Sequence, residues 1–150
     1  MTGKPTMKTY IFLAVIALLA YGTLHERGVS LLGRSSSTPN DGSLLRQAYN
    51  NRQSDLQVEG DGVVIKILPD DNKGSRHQRF ILKLSSGQTL LIAHNIDLAP
   101  RINRLSGGDK VAFYGEYEWN EKGGVLHWTH HDPNGRHIDG WLRHEGKTYQ

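Results

Sequence analysis

Not one of the 150 residues is cysteine. No disulfide framework, thiolate metal site or cysteine nucleophile can therefore exist, and any bound metal would have to be held by His, Asp or Glu. Also missing are a Gly-x-Ser-x-Gly nucleophile turn, a P-loop and a dinucleotide fingerprint, so three common kinds of catalytic or cofactor site leave no trace. An excess of cations is lacking where it would matter. The chain carries a formal charge of +3 with a pI near 9.2, yet from Asp55 onward 12 Lys and Arg face 13 Asp and Glu. The basic surplus belongs to the N-terminal third, and the pI is no argument for a nucleic-acid footprint on the remaining two-thirds of the chain. What is present, 150 residues of which 37% are apolar and 22% charged, suits a single core of ordinary size.

Long apolar runs are confined to the start. Lys4 and Lys8 precede residues 11–19, and Ala20, Tyr21 and Gly22 continue the run, which is the pattern of an export signal. It is short against the roughly 20 residues of a comfortable membrane span, and Ala20 and Gly22 offer the small residues a signal peptidase reads. Extended from Tyr10 to Leu24 it becomes a marginal anchor. In either case the leading lysines favour a cytoplasmic N-terminus and a translocated remainder. The expected organisation is a signal peptide or signal anchor over 1–24, a flexible linker over 25–42 and a folded domain over 43–150. The linker is rich in small and polar residues, Ser35, Ser36, Ser37, Thr38 and Pro39 among them. The protein is then exported and periplasmic, held by its N-terminal helix or released by cleavage.

Within the domain, Ser43 is placed to cap a short helix bearing Leu44, Leu45, Ala48 and Tyr49. Beyond it the patterns are those of strands. Residues 56–68 form one long β run interrupted by Gly60-Asp61-Gly62, which predicts a bulge or bend, with both faces of its later half buried. Residues 78–84 alternate, Phe80, Leu82 and Leu84 inward and Arg79, Ile81 and Lys83 outward. Residues 89–94 make a third strand, and 97–105 read as a helix capped by Asp97. Val111, Phe113, Gly115, Tyr117 and Trp119 share one face of a fourth strand, a loop spans 120–124, and 125–129 form a fifth strand. A last hairpin turns at Glu145-Gly146. The expected fold class is mainly β: a small five-stranded OB-like barrel with one short helix between strands 3 and 4, a C-terminal hairpin and an N-terminal hydrophobic targeting or anchor helix.

Several phrases carry a resemblance. Arg76-His77-Gln78-Arg79-Phe80, His94-Asn95-Ile96-Asp97, Gly115-Glu116-Tyr117-Glu118-Trp119 and His127-Trp128-Thr129-His130-His131-Asp132-Pro133, with Gly140-Trp141 after them, look like a functionally uncharacterised family of short exported bacterial proteins. The similarity runs from Leu56 to Tyr149. It implies bacterial origin and export, and leaves mechanism open.

Chemistry must come from residues. Seven of the eight histidines lie from His77 onward, and imidazole is both a metal ligand and a proton carrier near neutrality. His127, His130 and His131 cannot share an ion on one extended strand, since His127 and His131 would stand roughly 13 Å apart. A turn at His131-Asp132-Pro133-Asn134-Gly135 makes His130, His131, Asp132 and His137 the better metal set, for zinc or another divalent transition metal, joined by His77 or His94 from across the barrel. Against it stand histidines simply hydrogen-bonded at strand ends, and the sequence requires no cofactor.

The second constellation is the loop after the first strand. Asp70, Asp71, Lys73, Arg76, His77 and Arg79 border the face on which OB-type barrels hold oligonucleotides or oligosaccharides, with Trp128 as a stacking platform. The expected function is an exported binding module, not an enzyme, for a polyanionic or sugar-containing ligand. The alternatives are a metal-dependent phosphodiesterase or nuclease-like hydrolase, and a structural partner in an envelope complex. Expected partners are an oligonucleotide, a glycan or an envelope protein, and the membrane if the N-terminal segment is uncleaved.

Overall fold

In a computed structural model of the chain, residues 41–150 are described, with side chains from Ser43 onward. The segment 1–24 expected to be a targeting signal or anchor, and the expected linker as far as residue 40, lie outside the described residues. Helix α1, Asp41–Asn50, begins two residues ahead of the expected Ser43 cap. It buries Leu45 and Ala48, three residues apart and so on one face. Tyr49 fixes its far end: its hydroxyl donates to the Glu121 carbonyl at 3.0 Å, and its own carbonyl accepts from the Trp119 indole at 3.0 Å. Arg52, at φ 54°, turns the chain out of the helix. Among the described residues no helix is long and apolar enough to cross a membrane.

The strands are β1 (Leu56–Asp71), β2 (His77–Leu84), β3 (Thr89–Asn95), β4 (Lys110–Glu118), β5 (Val125–His127), β6 (Trp141–His144) and β7 (Lys147–Tyr149). β1 is long enough to serve two neighbours. Its first half pairs antiparallel with β4, from Leu56 opposite Tyr117 to Val63 opposite Lys110, and its second half with β2. The order β1-β2-β3-β5-β4 closes on β1 into a five-strand ring, with β3 and β5 parallel and the other pairs antiparallel. Gly62 sits where β1 changes partner, and a Cβ there would stand 3.0 Å from both the Leu82 Cβ and the Lys83 carbonyl. The irregularities of β1 fall later, between Val64 and Lys66 and between Leu68 and Asp71. Past the first of them the strand faces water: Ile65 and Ile67 are 49% and 43% exposed, so the expectation of two buried faces fails there.

Alternation holds along β2, β3 and β4, whose inward residues Phe80, Leu82, Leu90, Ile92, Val111, Phe113 and Tyr117 fill the ring. One edge of β4 lies on β1. The other is shared by β5 at Glu116–Glu118 and β6 at Ala112–Tyr114. Gly115 stands at the division, where a Cβ would approach the His127 carbonyl to 2.5 Å. β5 stops at His127, two residues earlier than expected, because Trp128 adopts φ 52° and leaves the ladder. The hairpin β6–β7 turns at Glu145 and Gly146, both at positive φ, as a two-residue type I′ loop requires.

The helix expected over 97–105 does not form; that stretch is a run of turns. Pro100 has no N–H to donate and disfavours the helical region at Ala99. The buried Gln78 amide then replaces helical partners, accepting from the Ile102 N–H and donating to the Ile102 carbonyl, both at 2.9 Å. Asp97 caps nothing of its own; it accepts from the Arg76 backbone and guanidinium, each at 2.7 Å.

Candidate functional site

The polar loop between β1 and β2 spends its charges on itself and its neighbours. Arg101 holds the Asp70 carboxylate with two bonds of 3.1 Å. Asp71 accepts the Lys73 backbone N–H at 3.0 Å and lies 3.9 Å from Arg79, whose guanidinium also donates to the Pro69 carbonyl. Arg76 is taken by Asp97, and its backbone and side-chain donors hold that carboxyl below the usual carboxylate range. Arg76 and Arg79, two of the cations expected to meet a polyanion, are thus already engaged, because carboxylates and a carbonyl beside them pair them locally. His77, by contrast, opens β2 on its outer side.

Around His77 the ring's outer wall forms a pocket of about 200 Å³ lined by His77, Ala93, Asn95, Leu98, His127, Trp128 and His130. Strand register explains the gathering. His77 faces Asn95 across β2–β3, while β5 lies parallel to β3 with Leu91 opposite Val125, which brings His127 toward Ala93. Trp128 is less available for stacking than expected. The His137 ring lies on it at 3.9 Å between centroids and 7° between planes, and His130 is tilted against it at 5.4 Å.

Beside the pocket, Glu116 and Glu118 project from β4, two residues apart and so on one face, with His127 opposite Glu116. His127 Nε2 lies 3.3 Å from Glu116 Oε1 and 4.0 Å from Glu118 Oε1. Despite that proximity the nitrogen is buried without a well-directed hydrogen bond. Burial pushes the His127 pKa down, against the pull of the two carboxylates. His137 Nε2 meets the other oxygen of Glu116 at 2.7 Å, and its Nδ1 meets the Ile138 carbonyl at 2.8 Å. Burial works against the charged form here too, but the Glu116 hydrogen bond, the Ile138 carbonyl and the nearby acids raise the pKa overall. With an acceptor at each nitrogen, His137 is the ring whose surroundings favour the charged form, whereas burial favours the neutral form of His127.

The metal set expected on the turn does not assemble. The Asp132 carboxylate accepts the backbone N–H groups of Asn134, Arg136 and His137 at 2.9, 2.6 and 2.8 Å, which lowers its pKa and leaves it serving as a turn cap. His131 is exposed and bonded to Asp139 at 2.9 Å, and His130 turns its Nδ1 to the His131 carbonyl at 2.7 Å. His94 is a core residue, its Nε2 donating to the Pro100 carbonyl at 3.2 Å and its Nδ1 accepting from the Thr129 hydroxyl at 2.8 Å. Of the expected ligand residues, His77 and Trp128 reach the pocket; of the expected metal residues, His130 lines it and His137 braces Glu116. The sequence does not single out His127 as the histidine that meets Glu116 and Glu118. The signal for that meeting is the short loop over 120–124, which puts Glu118 opposite Val125 and Glu116 opposite His127.

A family model described as "Protein of unknown function (DUF3465)" matches residues 29–150. No curated protein matches the chain.

Proposed function

The chain belongs to the family described as Protein of unknown function (DUF3465), and from that premise we propose that it is an exported OB-type barrel that binds a sugar-containing ligand on the outer face of β2, β3 and β5. The strand order β1-β2-β3-β5-β4 closing on β1, with its parallel β3–β5 pair, supports the OB-type reading. The lysine-flanked apolar run at the start supports export to the periplasm. One observation carries the choice of ligand: among the described residues no lysine or arginine lines the pocket, whose polar groups are the Asn95 amide and the imidazoles of His77, His127 and His130. Imidazole nitrogens and an amide together offer the hydrogen-bond partners that hydroxyl groups require, and Ala93, Leu98 and Trp128 add apolar surface for the face of a sugar ring. Phosphates fit poorly, with Glu116 and Glu118 close by and Arg76 and Arg79 already engaged.

The test is binding of neutral chito- and malto-oligosaccharides to the purified full-length chain, with an oligothymidylate as competitor probe. The expected result is saturable oligosaccharide binding that changes little between low and high salt and weakens about tenfold in His77→Ala or Asn95→Ala, a loss on the order of 1.4 kcal/mol. Binding of the oligothymidylate alone, falling steeply with salt as counterion release demands, would refute the reading.

A further inference from the structure

We propose that Glu116, Glu118 and His127 form a site for one divalent first-row transition metal ion, zinc by the chemistry of its donors, on the outer face of β4 and β5. The site shares His127 with the pocket of the glycan reading but does not rest on that reading, since metal binding needs only these three side chains. Each of the three offers a ligand atom within 4.8 Å of the others, and all three are partly buried. A tetrahedral zinc ion with bonds near 2.0–2.1 Å sets its ligand atoms about 3.3 Å apart. His127 Nε2 and Glu116 Oε1 are already 3.3 Å apart, and Glu118 Oε1, at 4.0 Å from the same nitrogen, reaches that spacing by a small side-chain rotation.

A second observation is independent of the acids. His127 Nε2 is buried without a hydrogen-bond partner, an arrangement that costs free energy unless something binds the nitrogen. Two carboxylate oxygens lie 3.3 and 4.0 Å from it, making no hydrogen bond to it yet within reach as co-ligands. The surroundings are also those of a ligand set. His137 donates to Glu116 Oε2 at 2.7 Å and is held by its stack on Trp128, so Glu116 is oriented with Oε1 left toward His127. Outer hydrogen bonds of this kind fix metal-binding carboxylates. One imidazole with two carboxylates suits zinc, and calcium and magnesium prefer oxygen alone. Three protein ligands leave a fourth position for water or a bound group, and His127 also lines the pocket.

The experiment strips the tag-free, full-length chain with chelator and titrates it with Zn²⁺ by calorimetry and with Co²⁺ by visible absorption. One equivalent should bind, with the intense absorption of low-coordinate Co²⁺. The near-isosteric Glu118→Gln should weaken Zn²⁺ binding at least tenfold, and His127→Gln should abolish the cobalt spectrum. His131→Ala, on the exposed turn, should bind as the parent does. Circular dichroism of every variant identifies any that misfolds; if His127→Gln does, Glu118→Gln decides. Absence of saturable uptake, an unchanged affinity in Glu118→Gln, or loss of uptake in His131→Ala would overturn the proposal.

Discussion

His94 and His127 are the same side chain put to opposite uses. His94 lies inside the ring with both nitrogens satisfied, and its burial lowers its pKa to about 4. The unfolded ring titrates near 6.5, so above that pH neither state is protonated and the neutral core histidine costs nothing. As pH falls from 6.5 toward 4 the unfolded chain takes up a proton that the folded one refuses, and stability declines until the folded pKa is passed. The loss between pH 6.5 and pH 5 from this group alone should be about 1.5 kcal/mol. In urea unfolding across that range, His94→Gln should lower overall stability yet flatten the pH dependence by that amount; an unchanged slope would show that His94 is not the group responsible. Imidazoles are plain in the sequence, but whether a given one is core, cap or ligand depends on what stands across the sheet from it.

Elements are legible in the sequence wherever one face alone is buried. The alternating runs of β2, β3 and β4 and the apolar spacing of α1 can be read there because a period of two or of three to four residues is all that burial needs. Where a side chain from elsewhere supplies the hydrogen bonds, the pattern misleads. The 97–105 segment has apolar residues at helical spacing, but the Gln78 amide takes both backbone groups of Ile102. The turn after β5 is a second such case, for Asp132 has the look of a ligand and proves to be the acceptor of three backbone N–H groups. Asp132→Ala should therefore raise hydrogen exchange at the amides of Asn134, Arg136 and His137 while leaving zinc uptake intact. Exchange at those amides unaltered by the substitution would contradict the capping role.

Closure of the ring brings residues 56–63 against 110–117, far apart in the chain. A fold that depends on such pairings must meet the entropy of a long loop before it gains the contacts, which places refolding in the millisecond-to-second range. After urea dilution, tryptophan fluorescence should recover in that window, with Trp119 and Trp128 reporting the strap of α1 and the end of β5. Microsecond recovery would mean that local structure, not ring closure, limits folding. At this scale the division between sequence and structure is clear. Composition, alternation and turn chemistry by themselves determined a β-rich domain following an apolar N-terminal run, without thiol chemistry and without a net cationic excess, because these depend on residue type and local period. Only the tertiary structure decided that β4 divides one edge between β5 and β6, that His127 stands opposite Glu116, and that the loop's arginines are already paired. Those facts depend on register and on partners distant in the chain, which local pattern does not encode.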